Sequence, residues 1–113
     1  MANKGVQPPH DDPKLAEIVR RLVAAFSPDS IYLFGSQARG EAGRDSDYDL
    51  LMVLARSDLP RYKRDQAAFR VLCGVGASKD IIVLTRDEFD RKLSVVSSLP
   101  ATVEREGRLL YAA

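Results

Sequence analysis

The chain has 113 residues, 45% hydrophobic and 29% charged, which suits one compact domain with a modest core and little length for a second. Seventeen Lys and Arg stand against sixteen Asp and Glu, so the net charge of +1 gives no general basis for binding nucleic acid or an anionic membrane, and any anion site must be local. A single cysteine, Cys73, excludes an internal disulfide and four-cysteine zinc patterns and favours a reducing compartment.

The opening MANKGVQPPHDD lacks the apolar core of a signal peptide, and no stretch approaches the roughly 20 apolar residues of a membrane span, so a soluble cytoplasmic protein is expected. Residues 1–11, with Pro8 and Pro9, read as a flexible arm, and 12–113 as one domain. Asp12 at an N-cap, Pro13 in the first turn, and Leu15, Ile18, Val19, Leu22, Val23 and Phe26 at helical spacing predict a helix. Its other face carries Lys14, Glu17, Arg20 and Arg21, and Ser27-Pro28-Asp29 ends it. Ile31-Tyr32-Leu33-Phe34 then reads as a short strand, buried on both faces and running into Gly35.

Ser36 to Arg39 suits a helical turn closed by Gly40, and the polar loop Glu41 to Ser46 leads to a second strand, Asp47 to Leu54. Leu50 to Leu54 is apolar without alternation, as in a central strand covered on both sides. A helix from about Arg61 to Cys73 follows, with Tyr62, Phe69, Leu72 and Cys73 as its apolar stripe, ended by Gly74-Val75-Gly76. Asp80 to Leu84 is the third strand, and Thr85, three residues before Glu88, forms a capping box that opens a helix carrying Phe89 and Leu93. Ser98 to Glu106 reads as a last helix with Pro100 in its first turn, stopped by Gly107, and Leu109-Leu110-Tyr111 as a terminal strand. Helices alternating with short apolar strands predict an α/β or α+β sheet with helices packed against it.

The stretch GSQARGEAGRDSDYDLLMVL, residues 35 to 54, carries the chemistry. It is no P-loop: Gly35 and Gly40 are correctly spaced, but Glu41 and Ala42 stand where Lys and Ser or Thr are required. An EF-hand loop from Asp45 fails too, with Leu50 in place of the needed Gly and Arg56 in place of the bidentate Glu. As strand residues, Asp47 and Asp49 point to one face about 6 to 7 Å apart while Tyr48 turns away. Two carboxylates so placed repel by roughly 2 kcal/mol at an effective dielectric of about 20, a repulsion that a divalent metal turns into binding. Oxygen donors with open positions suit Mg²⁺ or Mn²⁺ held together with the phosphates of a nucleotide. Gly35 lets the backbone approach such a ligand, the amides after it and the Ser36 hydroxyl can receive phosphate oxygens, and Arg39 is within reach of the same anion. Asp80, at the head of an apolar strand, becomes a third metal ligand or a general base if its strand neighbours the second.

Gly35-Ser36, ten residues, then Asp47-Tyr48-Asp49 resembles the signature of the DNA polymerase beta-like nucleotidyltransferases. The short length, the ARG after GS, the SDYDL context, the Asp80-Ile-Ile-Val strand and the terminal EGRLLY are most similar to the minimal nucleotidyltransferases, over roughly Ile31 to Tyr111. Gln37 stands where many members carry a basic residue. The resemblance implies a mixed sheet flanked by helices, two Mg²⁺ ions on Asp47, Asp49 and Asp80, and ATP bound through Gly35 and Ser36. One ion would lower the pKa of an attacking hydroxyl and the other would stabilise the departing pyrophosphate, with Asp80 as base and Arg39 offsetting phosphate charge. It also implies a partner: members are commonly paired with a HEPN-domain toxin ribonuclease, and some act as antitoxins, in hetero-oligomers, by transferring AMP to a tyrosine of that toxin.

Other readings stay open on the residues alone. Asp47 and Asp49 also suit a solvated acidic turn, Asp80 a strand cap in solvent, Ser36 an N-cap worth about 1 kcal/mol, and Arg39 and Arg44 ordinary surface charge. Arg61, Lys63 and Arg64 read as a solvated basic face, His10 as inert, and Cys73 as a small buried apolar residue. The competing functions are a catalytically inactive antitoxin that neutralises its toxin by contact, and transfer to a small molecule such as an antibiotic.

Overall fold

The structure, a computed structural model, describes residues 5–35 and 47–113. Helix α1 (Pro13–Phe26) starts where Asp12 caps it, Oδ1 accepting from the Leu15 amide, and stops at Ser27, which adopts a left-handed conformation. Strands β1 (Ser30–Phe34) and β2 (Tyr48–Leu54) are joined to helix α2 (Arg61–Val71), strand β3 (Lys79–Thr85), helices α3 (Arg86–Lys92) and α4 (Leu99–Glu106), and strand β4 (Arg108–Ala112). The Thr85–Glu88 capping box forms as expected, and Ser98 caps α4.

The sheet order is β3-β2-β1-β4, with β1 antiparallel to both β2 and β4, and β2 parallel to β3. A parallel pair needs a crossover, and α2 supplies it. Both faces of this mixed sheet are covered, which is why the two central strands read as unbroken apolar runs. On one side Leu15, Ile18 and Leu22 of α1 and Ala68 and Leu72 of the α2 segment pack on Ile31, Leu50 and Met52. On the other, Phe89 of α3 and Val103 of α4 meet Tyr32, Leu51 and Val53, with Phe89 stacked on Tyr32 at 5.7 Å between ring centroids. Among the described residues no helix is long and apolar enough to cross a membrane.

Helix α2 departs from expectation in which face it buries. Tyr62 and Phe69 are 62% and 52% exposed, and Cys73, expected in the core, is exposed as well. The buried face is Arg64, Ala68 and Leu72 instead. Arg64, expected in a solvated basic face, is 7% exposed because every branch of its guanidinium has an acceptor. Nε donates to the Leu59 carbonyl, Nη1 to the Val83 carbonyl, and Nη1 and Nη2 to the two carboxylate oxygens of Glu88 at 2.7 and 3.0 Å. Asp65 next to it accepts from the Val83 amide at 2.8 Å. Strand β3 is a sheet edge, and these two side chains close that edge at Val83.

The segment ahead of α1 follows the opposite edge. Gln7 donates its amide to the Leu109 carbonyl at 2.7 Å, Arg108 donates to the carbonyls of Gln7 and Pro8, and Pro9 is buried.

Candidate active site

Strand pairing decides what the aspartates can do together. In the register of β1 with β2, Phe34 lies opposite Asp49, and in the register of β2 with β3, Asp49 lies beside Asp80. Phe34, Asp49 and Asp80 therefore form one row across three strands, spaced about 4.8 Å per strand, on the face that further along carries Leu51, Val53 and Phe89. The row sits where β1 ends and β2 and β3 begin. Asp47 shares that face by the two-residue period and is exposed, Asp80 is exposed, and Asp49 between them is half-buried.

Electrostatics mark Asp49 as the strained member. Its pKa is raised, first by burial, then by the negative charges of Asp80 and Asp47. Gly35 ends β1 beside it with φ +75°, and a Cβ there would meet Asp49 Oδ2 at 2.5 Å. Only glycine keeps both that backbone conformation and the space against the carboxylate.

Tyr48, between the two aspartates, turns to the opposite face and is buried among the α1 and α2 side chains. Its hydroxyl donates to Asp12 Oδ2 at 2.7 Å, so the residue that caps α1 also fixes the strand bearing the aspartates. Burial, with the Asp12 hydrogen bond, pushes the Tyr48 pKa up to about 12. Sequence reading found that Tyr48 turns away but not its partner, which lies 36 residues upstream and carries only a local capping signal. Phe34 as the neighbour of Asp49 was likewise visible only as an apolar strand end.

Among the described residues no group of three or more His, Cys, Asp or Glu side chains is drawn tightly enough together to make a finished metal cage. The donor chemistry nevertheless suits a hard divalent cation: oxygen-only ligands, net negative charge, and a glycine that leaves the Asp49 carboxylate uncovered. Ser36 and Arg39, expected to hold phosphates, and the turn closed by Gly40 lie outside the described residues.

The profile of a family described as "Nucleotidyltransferase domain" matches residues 13–110. Among solved structures, a candidate nucleotidyltransferase of Sulfolobus solfataricus is 26% identical, with a TM-score of 0.63 over 88% of this chain and 78% of its own. A toxin–antitoxin structure with AMP-PNP shares the fold at 22% identity and a TM-score of 0.55, covering 91% of this chain and 74% of its own. A mutant of the toxin–antitoxin MntA–HpeT shares it at 19% and 0.52, over 86% and 72%. No protein of curated function matches the sequence.

Proposed function

Since this chain belongs to the nucleotidyltransferase domain family, we propose that it transfers AMP from ATP to a hydroxyl of a protein acceptor, a tyrosine of a HEPN toxin, and so acts as the antitoxin of a pair. The observation that carries the reading is the row that sets Asp49 beside Asp80, with Asp47 on the same face and Gly35 against the Asp49 carboxylate. The toxin–antitoxin structures of this fold, one with AMP-PNP, support the choice of nucleotide and partner.

Asp47, Asp49 and Asp80 would hold Mg²⁺, or Mn²⁺. When bound, the ions supply charge neutralisation for the phosphates and a lowered pKa for the acceptor hydroxyl. Gly35 admits the triphosphate close to the backbone, with Ser36 and Arg39 contributing a hydroxyl and a cation to it. Asp80, exposed at the rim, would take the proton of the acceptor hydroxyl. The oxygen–phosphorus bond forms at the α-phosphorus, the bond to the bridging oxygen breaks, and pyrophosphate leaves.

The test is the intact mass of the protein that copurifies with this chain from its native host, compared with the same protein from cells carrying Asp49→Ala. A gain of one or more AMP units found only with the wild type supports transfer. An unmodified partner bound equally by both forms overturns it and leaves a neutralising binding module.

A further inference from the structure

The exposed face of α2 has the spacing of a helix–helix seam. Tyr62, Gln66 and Phe69 follow one another at intervals of four and three residues, the repeat by which one helix packs against another, and all three are exposed, as is Cys73 in the turn after the helix. The helix already has a core-facing side in Arg64, Ala68 and Leu72, so this is a second stripe. Lys63 and Arg70, one residue after Tyr62 and Phe69, are exposed along the same flank of the seam, in the positions whose charge selects a partner helix. Lys79 lies over the Phe69 ring at 5.7 Å, adding a third cation at that end.

Helix α2 covers the face of the sheet opposite the aspartate row, and its exposed side reaches the row at the β3 edge, where Asp80 stands. Gln66, Phe69 and Cys73 line a shallow pocket of about 510 Å³ together with Asp80. The geometry points to α2 as the surface on which the acceptor docks, through an amphipathic helix whose apolar stripe meets Tyr62 and Phe69 and whose flanking acidic residues meet Lys63 and Arg70. This rests on the proposed transfer reaction and adds to it the recognition chemistry of the acceptor.

The experiment incubates the purified full chain with α-³²P-labelled ATP, Mg²⁺ and native-host lysate, and follows the labelled product. Phe69→Ala and Tyr62→Ala are each expected to raise the KM for the acceptor by about tenfold, the scale of an aromatic anchor at an interface. Lys63→Glu with Arg70→Glu should do the same at low salt, while all variants keep the rise in melting temperature that ATP and Mg²⁺ give the wild type. A photo-crosslinking residue at position 69 should capture the labelled protein, and one at Lys14 on α1 should not. Undiminished labelling by the aromatic variants, or label that ribonuclease removes, overturns the docking surface and leaves nucleotide transfer standing. No label with the wild type overturns transfer itself, and the docking surface with it.

Discussion

At the start of β3, carboxylate faces carboxylate, Asp80 beside Asp49; three residues on, at Val83, guanidinium faces carboxylate, with Arg64 gripping Glu88. The second cluster is finished within the fold, since Arg64 spends its donors on Glu88 and two carbonyls and holds the Glu88 pKa down to about 2. The first raises the pKa of its central member. A sheet that elsewhere satisfies a buried charge keeps three like charges at one end, which is the pattern of a site whose counter-charge arrives with a ligand.

The contrast can be broken from either side. Asp49→Ala should cut nucleotide transfer by about a thousandfold, the equivalent of several kcal/mol of lost charge stabilisation, yet leave the melting temperature equal or higher because a repulsion is removed. Arg64→Ala should do the reverse in kind, lowering stability by about 2 to 4 kcal/mol in a denaturant titration because Glu88 and the Val83 carbonyl lose their donor. ATP with Mg²⁺ should stabilise the wild type by about 2.7 kcal/mol at a hundredfold excess over Kd and do much less for Asp47→Ala; equal shifts would remove the metal-site argument.

The smallest effect concerns acid. Glu88 titrates lower in the folded chain than its ordinary value of 4.5, chiefly through its hydrogen bonds with Arg64. Its contribution is complete above about pH 4.5 and fades as the pH falls toward 2, because the unfolded chain takes up the proton first. Glu88→Gln should therefore flatten the stability profile in that window, measured by urea unfolding at successive pH values. An unchanged slope would mean that the pair contributes no pH dependence.

How much of this was legible in the sequence depended on how local each signal is. Helix α1, the Thr85–Glu88 capping box and the apolar strands are set by residues a few positions apart, and they stand where the spacing put them. Helix α2 was misread because Tyr62 and Phe69 outweigh Ala68 in any apolar count. The residue that turns the helix the other way, Arg64, is buried by Glu88, 24 positions downstream. The D-x-D spacing told that Asp47 and Asp49 share a face, but the placing of Asp80 beside Asp49 follows from parallel pairing with β2, which no local pattern encodes.

The hydrogen bond from Tyr48 to Asp12 also constrains how this sequence can drift. Strand residues alternate sides, so inserting or deleting one residue within β2 would exchange the two faces of everything before it. Asp47 and Asp49 would be driven into the apolar layer under α1, and the tyrosine hydroxyl would emerge on the face that carries Asp80. Length changes inside β2 are thus tolerable only in twos, while single-residue changes must fall outside the strand. The motif D-x-D is, in this light, a rule of parity: an odd number of residues between the carboxylates keeps both on one face, an even number would place one of them on the wrong side, and the single intervening tyrosine is the shortest spacer that obeys it.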